Sequence, residues 1–387
     1  MNPLRVLMAA DVPPDPDSGA AGTEYQTAAA LRRRGHQVEA LWADAFPRRI
    51  HHGNLHYLLE LPRAYRDRIR AAWRTGVFDV VHVNQPAAYL AAEDHRRVRR
   101  PGVFVNRSHG WEPSVSAALT PWRRAYRTPE WRFPRSVPGR VLQALLARQS
   151  RRVAAAADGV IVSGAACRDY LLAHHGVPPG RVACLAQARP DSFGAAPAPM
   201  TAERLRGLLY VGQFAFVKAP MVVAAAFNGV LARHADCRAT WVCHAADAPR
   251  AAALLSPAAR ARTVFPGWVA QDDLRALYDR HGVFVFPSFY EGFGKAFLEA
   301  MARGCCVVAS DTGGMRDVIT DGRDGRRVPV GDAEALAVAI ESLLADPLQA
   351  QNMSTAARAT AEPYTWDRVA AETEAFYRNL LSMKGAT

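Results

Sequence analysis

Apolar residues come along this chain in short runs, separated by stretches in which they recur at helical spacing. Such runs, bounded by Gly, Pro, Asn or Asp, predict strands buried on both faces, and the periodic stretches between them predict helices. In the first half, strands are expected at 5–10, 37–42, 77–83 and 103–107. Another is expected at Val160-Ile161-Val162, reached through an alanine-rich turn within 154–163. A helix is expected over 23–34, closed by Gly35 as a C-terminal cap. The second half restarts the alternation with strands at 208–211, 240–242, 263–265, 283–286 and 307–309, and closes with an amphipathic helix over 366–383.

Strand and helix signals that alternate twice imply two α/β domains, each a doubly wound parallel sheet. The Ala- and Pro-rich stretch 187–204, with Pro190, Pro197 and Pro199, marks the linker between a domain at 1–186 and one beginning at 205. The expected architecture has the two domains facing each other across a cleft. Ligands of such sheets bind beyond the carboxyl ends of the strands.

Composition agrees with this picture and narrows it. A chain of 387 residues is too long for one core, and 50% apolar with 22% charged residues is globular rather than disordered. No run of 18 apolar residues occurs, so no membrane span is expected. The opening Leu4-Arg5-Val6-Leu7-Met8 reads as a first strand rather than a signal segment, so a cytoplasmic location is expected. The six cysteines follow no metal-ligand spacing and are expected to be reduced, small and buried. Neither a metal nor a cofactor is expected.

The net charge of +12 is one-sided. Residues 1–186 hold 27 Arg and no Lys against 15 Asp and Glu, whereas residues 187–387 are balanced at 21 of each sign. Arginine clusters lie at Arg32-Arg33-Arg34, within 63–74 and 96–100, and from Trp122-Arg123-Arg124 to Arg151-Arg152. A solvated face is the plain reading. An anionic partner, such as a phospholipid surface or a phosphate-bearing acceptor, is the functional one. No recognition module for nucleic acid accompanies the charge.

The most informative chemistry is Pro287-Ser288-Phe289-Tyr290-Glu291-Gly292-Phe293-Gly294-Lys295-Ala296-Phe297-Leu298-Glu299. A strand ends, a glycine turn carries one glutamate, and a helix opens whose first turns carry another eight residues on. Bare N–H groups at a helix start suit a phosphate, and the carboxylates suit hydroxyls on either side of it. Two solvated surface carboxylates are the alternative. Three further strand ends carry loops of the same kind: Tyr210-Val211-Gly212-Gln213 with Lys218, Phe265-Pro266-Gly267-Trp268-Val269, and Ser310-Asp311-Thr312-Gly313-Gly314. Each alone says little. Together they describe one ligand-binding crest.

In order and spacing these segments resemble the retaining family 4 glycosyltransferases, whose GT-B fold pairs two Rossmann-like domains and whose E-x7-E motif matches Glu291 and Glu299. Gly22-Thr23-Glu24, the run Arg34-Gly35-His36 and Tyr364-Thr365-Trp366 are similar to the family's N-terminal loop, first helix end and last helix. The resemblance implies a nucleotide-sugar domain at 205–362 and a helix at 363–387 crossing back to the first domain. It implies transfer, without a metal, from a nucleoside-diphosphate sugar to a cell-envelope polysaccharide, lipid-linked or other glycan acceptor. Glu299 would hold the ribose, and Glu291 the transferred sugar. The backbone of Gly292, Phe293 and Gly294, with Lys295, would line the sugar and diphosphate, and Lys218 would counter the diphosphate charge. Gly212 and Gln213 would stand at the diphosphate, Trp268 and Val269 at the base. Gly22 would let its loop close over the diphosphate, and His109 would meet the donor sugar. Glu112 and Asn84 are the candidates for meeting an acceptor hydroxyl.

The chain departs from the family pattern in places. Gln213 stands where Arg is usual, Ala186 to Pro190 replace an Asn-Gly signature, and Lys295 and Cys306 are not the commonest residues at their positions. Either a neighbouring Arg substitutes for the missing cation or the donor phosphate is held less tightly. A nucleotide-sugar epimerase, a phosphorylase on the same architecture and a non-catalytic nucleotide-sugar-binding protein are the competing readings.

Overall fold

The computed structural model describes residues 2–128 and 136–385. Arg132 and Arg135 of the basic cluster lie outside the described residues. The chain divides into two compact units, Met1–Gln187 with Trp366–Thr387, and Ala188–Thr365. Each is α/β and contains a six-stranded sheet in which every paired strand is parallel.

In the first unit the sheet runs in the order β2 (Gln37–Leu41), β1 (Arg5–Ala9), β3 (Val80–Asn84), β4 (Val103–Ser108), β5 (Gly159–Val162) and β6 (Val182–Cys184). Strands β3, β4 and β5 are buried at every residue, which is why they read as continuous apolar runs. Edge strand β2 alternates instead, with Glu39 outward and bonded to Arg5 at 2.8 Å. The strand order reverses between β1 and β3. There the Tyr65 hydroxyl accepts from the Asp11 N–H at 2.9 Å and donates to the Asn84 carbonyl at 3.1 Å.

The second sheet runs β12 (Arg326–Val328), β11 (Cys306–Ser310), β10 (Val283–Phe286), β7 (Gly207–Val211), β8 (Arg238–Val242) and β9 (Thr263–Val264). Its reversal lies between β7 and β10, paired through Val283 with Leu208 and Phe284 with Leu209. The carboxyl ends of those two central strands are where a doubly wound sheet offers a crevice.

Several expectations need correction. The predicted strand at 77–83 begins only at Val80, because Val77 faces solvent and Asp79 turns its carboxylate onto the Arg5 N–H at 2.7 Å. The alanine-rich turn at 154–163 is in part the end of a long helix, Ser136–Ala156. Strands β6 and β12 were missed, since three residues at a sheet edge carry little periodic signal. Within the stretch 187–204, expected as the linker, side-chain contacts hold the backbone in place. Phe193 and Met200 are buried, and the buried guanidinium of Arg303 donates to the carbonyls of Phe193, Ala195 and Ala196 at 3.3, 2.6 and 3.3 Å. A planar fork with five donors can hold a proline-rich segment by its carbonyls, where the side chains of that segment offer little.

One segment, Phe216–Arg233, is apolar and long enough by composition to cross a membrane. Its helix, Pro220–Arg233, buries Val222, Val223, Phe227, Val230 and Leu231 against the helix Ala333–Ala345, so the apolar residues form core. None of the six cysteines is in a disulfide; five are buried and Cys184 is half-buried. The helix Trp366–Gly385 belongs to the first unit and packs on the helix Ala20–Arg33. Its Glu374 meets Arg34 at 2.8 Å, Arg378 at 2.8 Å and His36 at 3.2 Å.

Candidate functional site

In the second unit, the chain leaving β7 turns through Gly212 and Gln213 into a short helical turn, Phe216–Lys218. Lys218 is followed by Ala219 at φ 52°, a left-handed conformation that costs a non-glycine residue about 1 kcal/mol or more. The helix Pro220–Arg233 then begins. The chain leaving β10 runs through Ser288, and the Phe289 N–H bonds the Val217 carbonyl at 2.9 Å. These two strand ends flank the sheet reversal, and their polar side chains meet there. Lys218 Nζ lies 2.6 Å from Glu291 Oε1, and the Ser288 hydroxyl donates to the same oxygen at 2.7 Å. The ammonium also sits 5.3 Å from the Phe286 ring centroid.

The Gly313-Gly314 loop at the end of β11 holds this turn by close backbone packing. A side chain at Gly313 would place its Cβ 1.9 Å from the Glu291 carbonyl oxygen, and one at Gly314 would lie 2.3 Å from that of Phe293. The two glycine-bearing loops are therefore one packed unit. Gly294, at φ 94°, caps the helix Lys295–Ala302. One turn in, the buried Glu299 carboxylate lies 3.2 Å from the Tyr278 hydroxyl. Burial pushes its pKa up, against the opposing pull of Lys295 and of the Tyr278 hydrogen bond.

Other predicted donor residues are placed as follows. Gly212 continues the ladder to the Val242 carbonyl at 3.0 Å and leaves room for the Tyr210 hydroxyl, which a Cβ would approach to 2.7 Å. Gln213 is exposed, and the Arg250 guanidinium lies over the ring of adjacent Phe214 at 4.6 Å. Trp268 is 55% exposed and stacks on His244 with ring centroids 5.2 Å apart, while Val269 is half-buried beside it.

In the first unit, His109 follows β4 and reaches Glu24 of the helix Ala20–Arg33, with Nε2 2.9 Å from Oε1. Its Nδ1 lies 3.3 Å from the Gln187 side-chain nitrogen. Glu24 is fully buried and also faces His82 Nε2 at 3.4 Å and Arg107 Nε at 3.8 Å. Burial opposes its ionisation, but His109, His82 and Arg107 outweigh that and hold the carboxyl well below the usual carboxylate range. Burial lowers the His109 pKa against the pull of Glu24. Gly22 lies in the first turn of the same helix, where a Cβ would come 2.5 Å from the Pro16 carbonyl oxygen. Its lack of a side chain thus serves local packing of the loop before the helix.

Asn84 ends β3 with its side-chain amide buried and without a hydrogen-bond partner among the described residues. Gln85 follows at φ 78°, a strained conformation at the strand-order reversal of this sheet. Glu112 opens the helix Glu112–Ala125 and borders a cavity of about 520 Å³ lined also by Ser116, Arg123, Gln143 and Tyr170. The protein packed around its carboxyl raises its pKa, and burial raises that of Asp11 likewise. Asp11 in turn lies 3.5 Å from His56.

Sequence reasoning missed Ser288, Tyr278, Asp11, Tyr65, His82, Arg107 and Gln187 as parts of these clusters. Arg107 and His82 carried a usable signal, as ionisable residues inside the buried strands β4 and β3. The others read as ordinary loop or core residues until the sheets bring their strand ends together.

Residues 206–346 match the family described as glycosyl transferases group 1, and residues 18–186 match glycosyltransferase family 4. A D-inositol 3-phosphate glycosyltransferase of Streptomyces avermitilis is 30% identical over 244 residues, covering 58% of this chain and 53% of that protein. The chain spans about half the length, or less, of the curated relatives first matched. Among solved structures, sucrose-phosphate synthase from Thermosynechococcus elongatus aligns with a TM-score of 0.79 at 20% identity, over 99% of this chain and 100% of that one. Anabaena HepE in complex with UDP and glucose aligns with a TM-score of 0.67 at 16% identity, over 96% and 98%.

Proposed function

Because the chain belongs to the family 4 glycosyltransferases and has their GT-B fold, we propose that it moves a sugar from a nucleoside-diphosphate donor to an acceptor hydroxyl, with retention at the anomeric carbon. The observation that carries this reading is the Lys218–Glu291–Ser288 contact at the strand-order reversal of the second sheet. Lys218 places a cation where charge builds on the leaving diphosphate, the point at which a fixed charge lowers the barrier most. Glu291, oriented by two donors, accepts from hydroxyls of the transferred sugar. Glu299, buried beside Tyr278, accepts from the ribose. The leaving diphosphate takes the acceptor proton, so no protein acid/base pair is called for. On this reading turnover needs no divalent metal and survives a chelator.

The acceptor is a glycan or a lipid-linked sugar, with Glu112 and Asn84 as its hydroxyl contacts. The named relative acts on an inositol phosphate, which makes phosphorylated polyols worth including in an acceptor panel. A thermal-shift screen over UDP-, GDP-, ADP- and dTDP-sugars tests the donor half, since ligand binding raises stability by mass action. No shift with any donor, or an unchanged shift in Glu299→Ala, rejects the assignment. Product formed from donor alone would favour the epimerase.

A peripheral location on the inner membrane face is supported by the helix Ser136–Ala156, which exposes Val137, Val141 and Leu145 one turn apart in the unit that holds the charge excess. Flotation with anionic liposomes that is lost in salt is the expected result. Absence of salt-sensitive binding would remove the membrane from the reading.

A further inference from the structure

Two imidazoles and a guanidinium surround one carboxylate in the first unit, and the set is too well buried to carry a net charge. Arg107 cannot lose its proton, so Glu24 is its counter-charge, and burial favours the neutral form of His109. The tautomers of the two imidazoles then follow from their partners. The Tyr377 hydroxyl, kept protonated by burial, lies 2.5 Å from His82 Nδ1 and donates there, which leaves the His82 Nε2–H pointing at Glu24. His109 likewise turns Nε2 onto Glu24 at 2.9 Å. A lone pair on that nitrogen would face a carboxylate oxygen, so the proton belongs on Nε2. Nδ1 is then an acceptor, matched by the Gln187 amide at 3.3 Å.

We propose that Glu24 is a positioning residue for His109: it fixes the imidazole as the Nε2–H tautomer, so that Nδ1 is an acceptor, held by the Gln187 amide in the free protein and yielded to a substrate hydroxyl that displaces that contact. The substrate clause rests on the transferase reading above; the tautomer does not. The same carboxylate joins His109, through His82 and Tyr377, to the helix Trp366–Gly385, so one buried group orients the site and anchors that helix. The groups that face it are Arg107 and His109 from the end of β4, His82 from β3, Tyr377 from the last helix and Gln187 beside His109.

The test is a long-range 1H–15N correlation spectrum of the full chain labelled with 15N-histidine, with the His109 signals assigned through His109→Gln. At neutral pH the unaltered protein should show His109 with a protonated Nε2 and a bare Nδ1. An Nδ1–H tautomer, or an imidazolium, overturns the proposal. Glu24→Gln should mix the tautomers and lower the His109 pKa further, and unchanged His109 signals would overturn it as well. Should that variant not fold, the unaltered spectrum decides the tautomer, and Gln187→Leu, which removes the other half of the clamp, should move the Nδ1 signal. In a kinetic arm with UDP-glucose as donor and water as acceptor, Glu24→Gln should cut kcat by about tenfold or more at nearly constant KM. It should add no further loss in a His109→Ala background, and an additive loss would show that Glu24 does not act through His109. If the unaltered protein does not turn over UDP-glucose, the kinetic arm is run with whichever donor gives a thermal shift; no turnover with any donor counts against the transferase reading, and the tautomer still decides this one.

Discussion

The two units keep buried carboxylates under opposite conditions. In the second, Glu299 has the Tyr278 hydroxyl beside it and burial raises its pKa; Glu291 is met by one lysine and one serine. In the first, Glu24 is enclosed by two imidazoles and a guanidinium that hold it ionised. A carboxylate with few protein partners, at a strand-end crest, is arranged for a ligand to complete. One whose partners are all protein orients those partners instead. On the proposed reading the second unit presents its chemistry directly, and the first presents it through His109.

The comparison breaks most readily at Lys218. Lys218→Ala should lower kcat by about 100- to 1,000-fold, the usual loss when one group stabilising the developing charge is removed. Steady-state kinetics showing less than a tenfold loss would mean that another cation, such as Arg250 over the Phe214 ring beside Gln213, carries the diphosphate. Gly313→Ala comes next. Its Cβ would collide with the Glu291 carbonyl at a φ of 51°, so urea unfolding should show a loss of about 3 kcal/mol. A neutral result would show that the two loops are not packed as one.

In the first unit, Glu374→Ala should cost about 2 kcal/mol, because Arg34, Arg378 and His36 lose their shared partner; the two arginines are partly exposed, which keeps the loss below that of a fully buried pair. The same group predicts acid behaviour. Burial works against ionisation, but hydrogen bonds from Arg378, Arg34 and His36 bring its pKa from 4.5 down to about 2. The native state therefore binds fewer protons than the unfolded chain in that window. Its stabilising contribution is full above pH 4.5 and declines as pH falls through 2. An acid titration of Glu374→Gln should lack that part of the decline.

Glu299 gives the opposite sign. A raised carboxyl pKa means the native state keeps its proton longer, so stability falls as pH rises from the unfolded value through the folded one. Glu299→Gln should thus gain up to about 1 kcal/mol at pH 8 while losing the nucleotide-sugar thermal shift. A variant that loses stability and keeps the shift would reverse the assignment. The smallest effect is expected at Trp268→Ala, within about 0.5 kcal/mol of the parent, with a reduced nucleotide shift, since the ring is more than half exposed and stacks on His244.

How much of this was legible in the sequence follows the same division. In the second unit the glycine turns, Lys218, Glu291 and Glu299 lie in short contiguous segments whose apolar strands announce them. Ser288 is three residues from Glu291, yet nothing in a lone serine after a proline marks it as a partner. In the first unit His109 could be singled out by resemblance alone. Its partners lie 85 and 78 residues away, and Tyr377 lies 295 residues from His82. The edge strands β6 and β12, the long helix Ser136–Ala156 and the strap held by Arg303 were also beyond pattern reading. In each, remote backbone or side-chain contacts do what local periodicity does elsewhere.

The sequence by itself therefore determined the class of fold, two α/β units, and the loop chemistry of the second, because apolar periodicity and glycine turns are local properties. Only the tertiary structure decided which carboxylate meets which base. Parallel strands joined by helical crossovers bring together ends that are distant in sequence, and a buried charge takes its ionisation from whatever those ends place beside it.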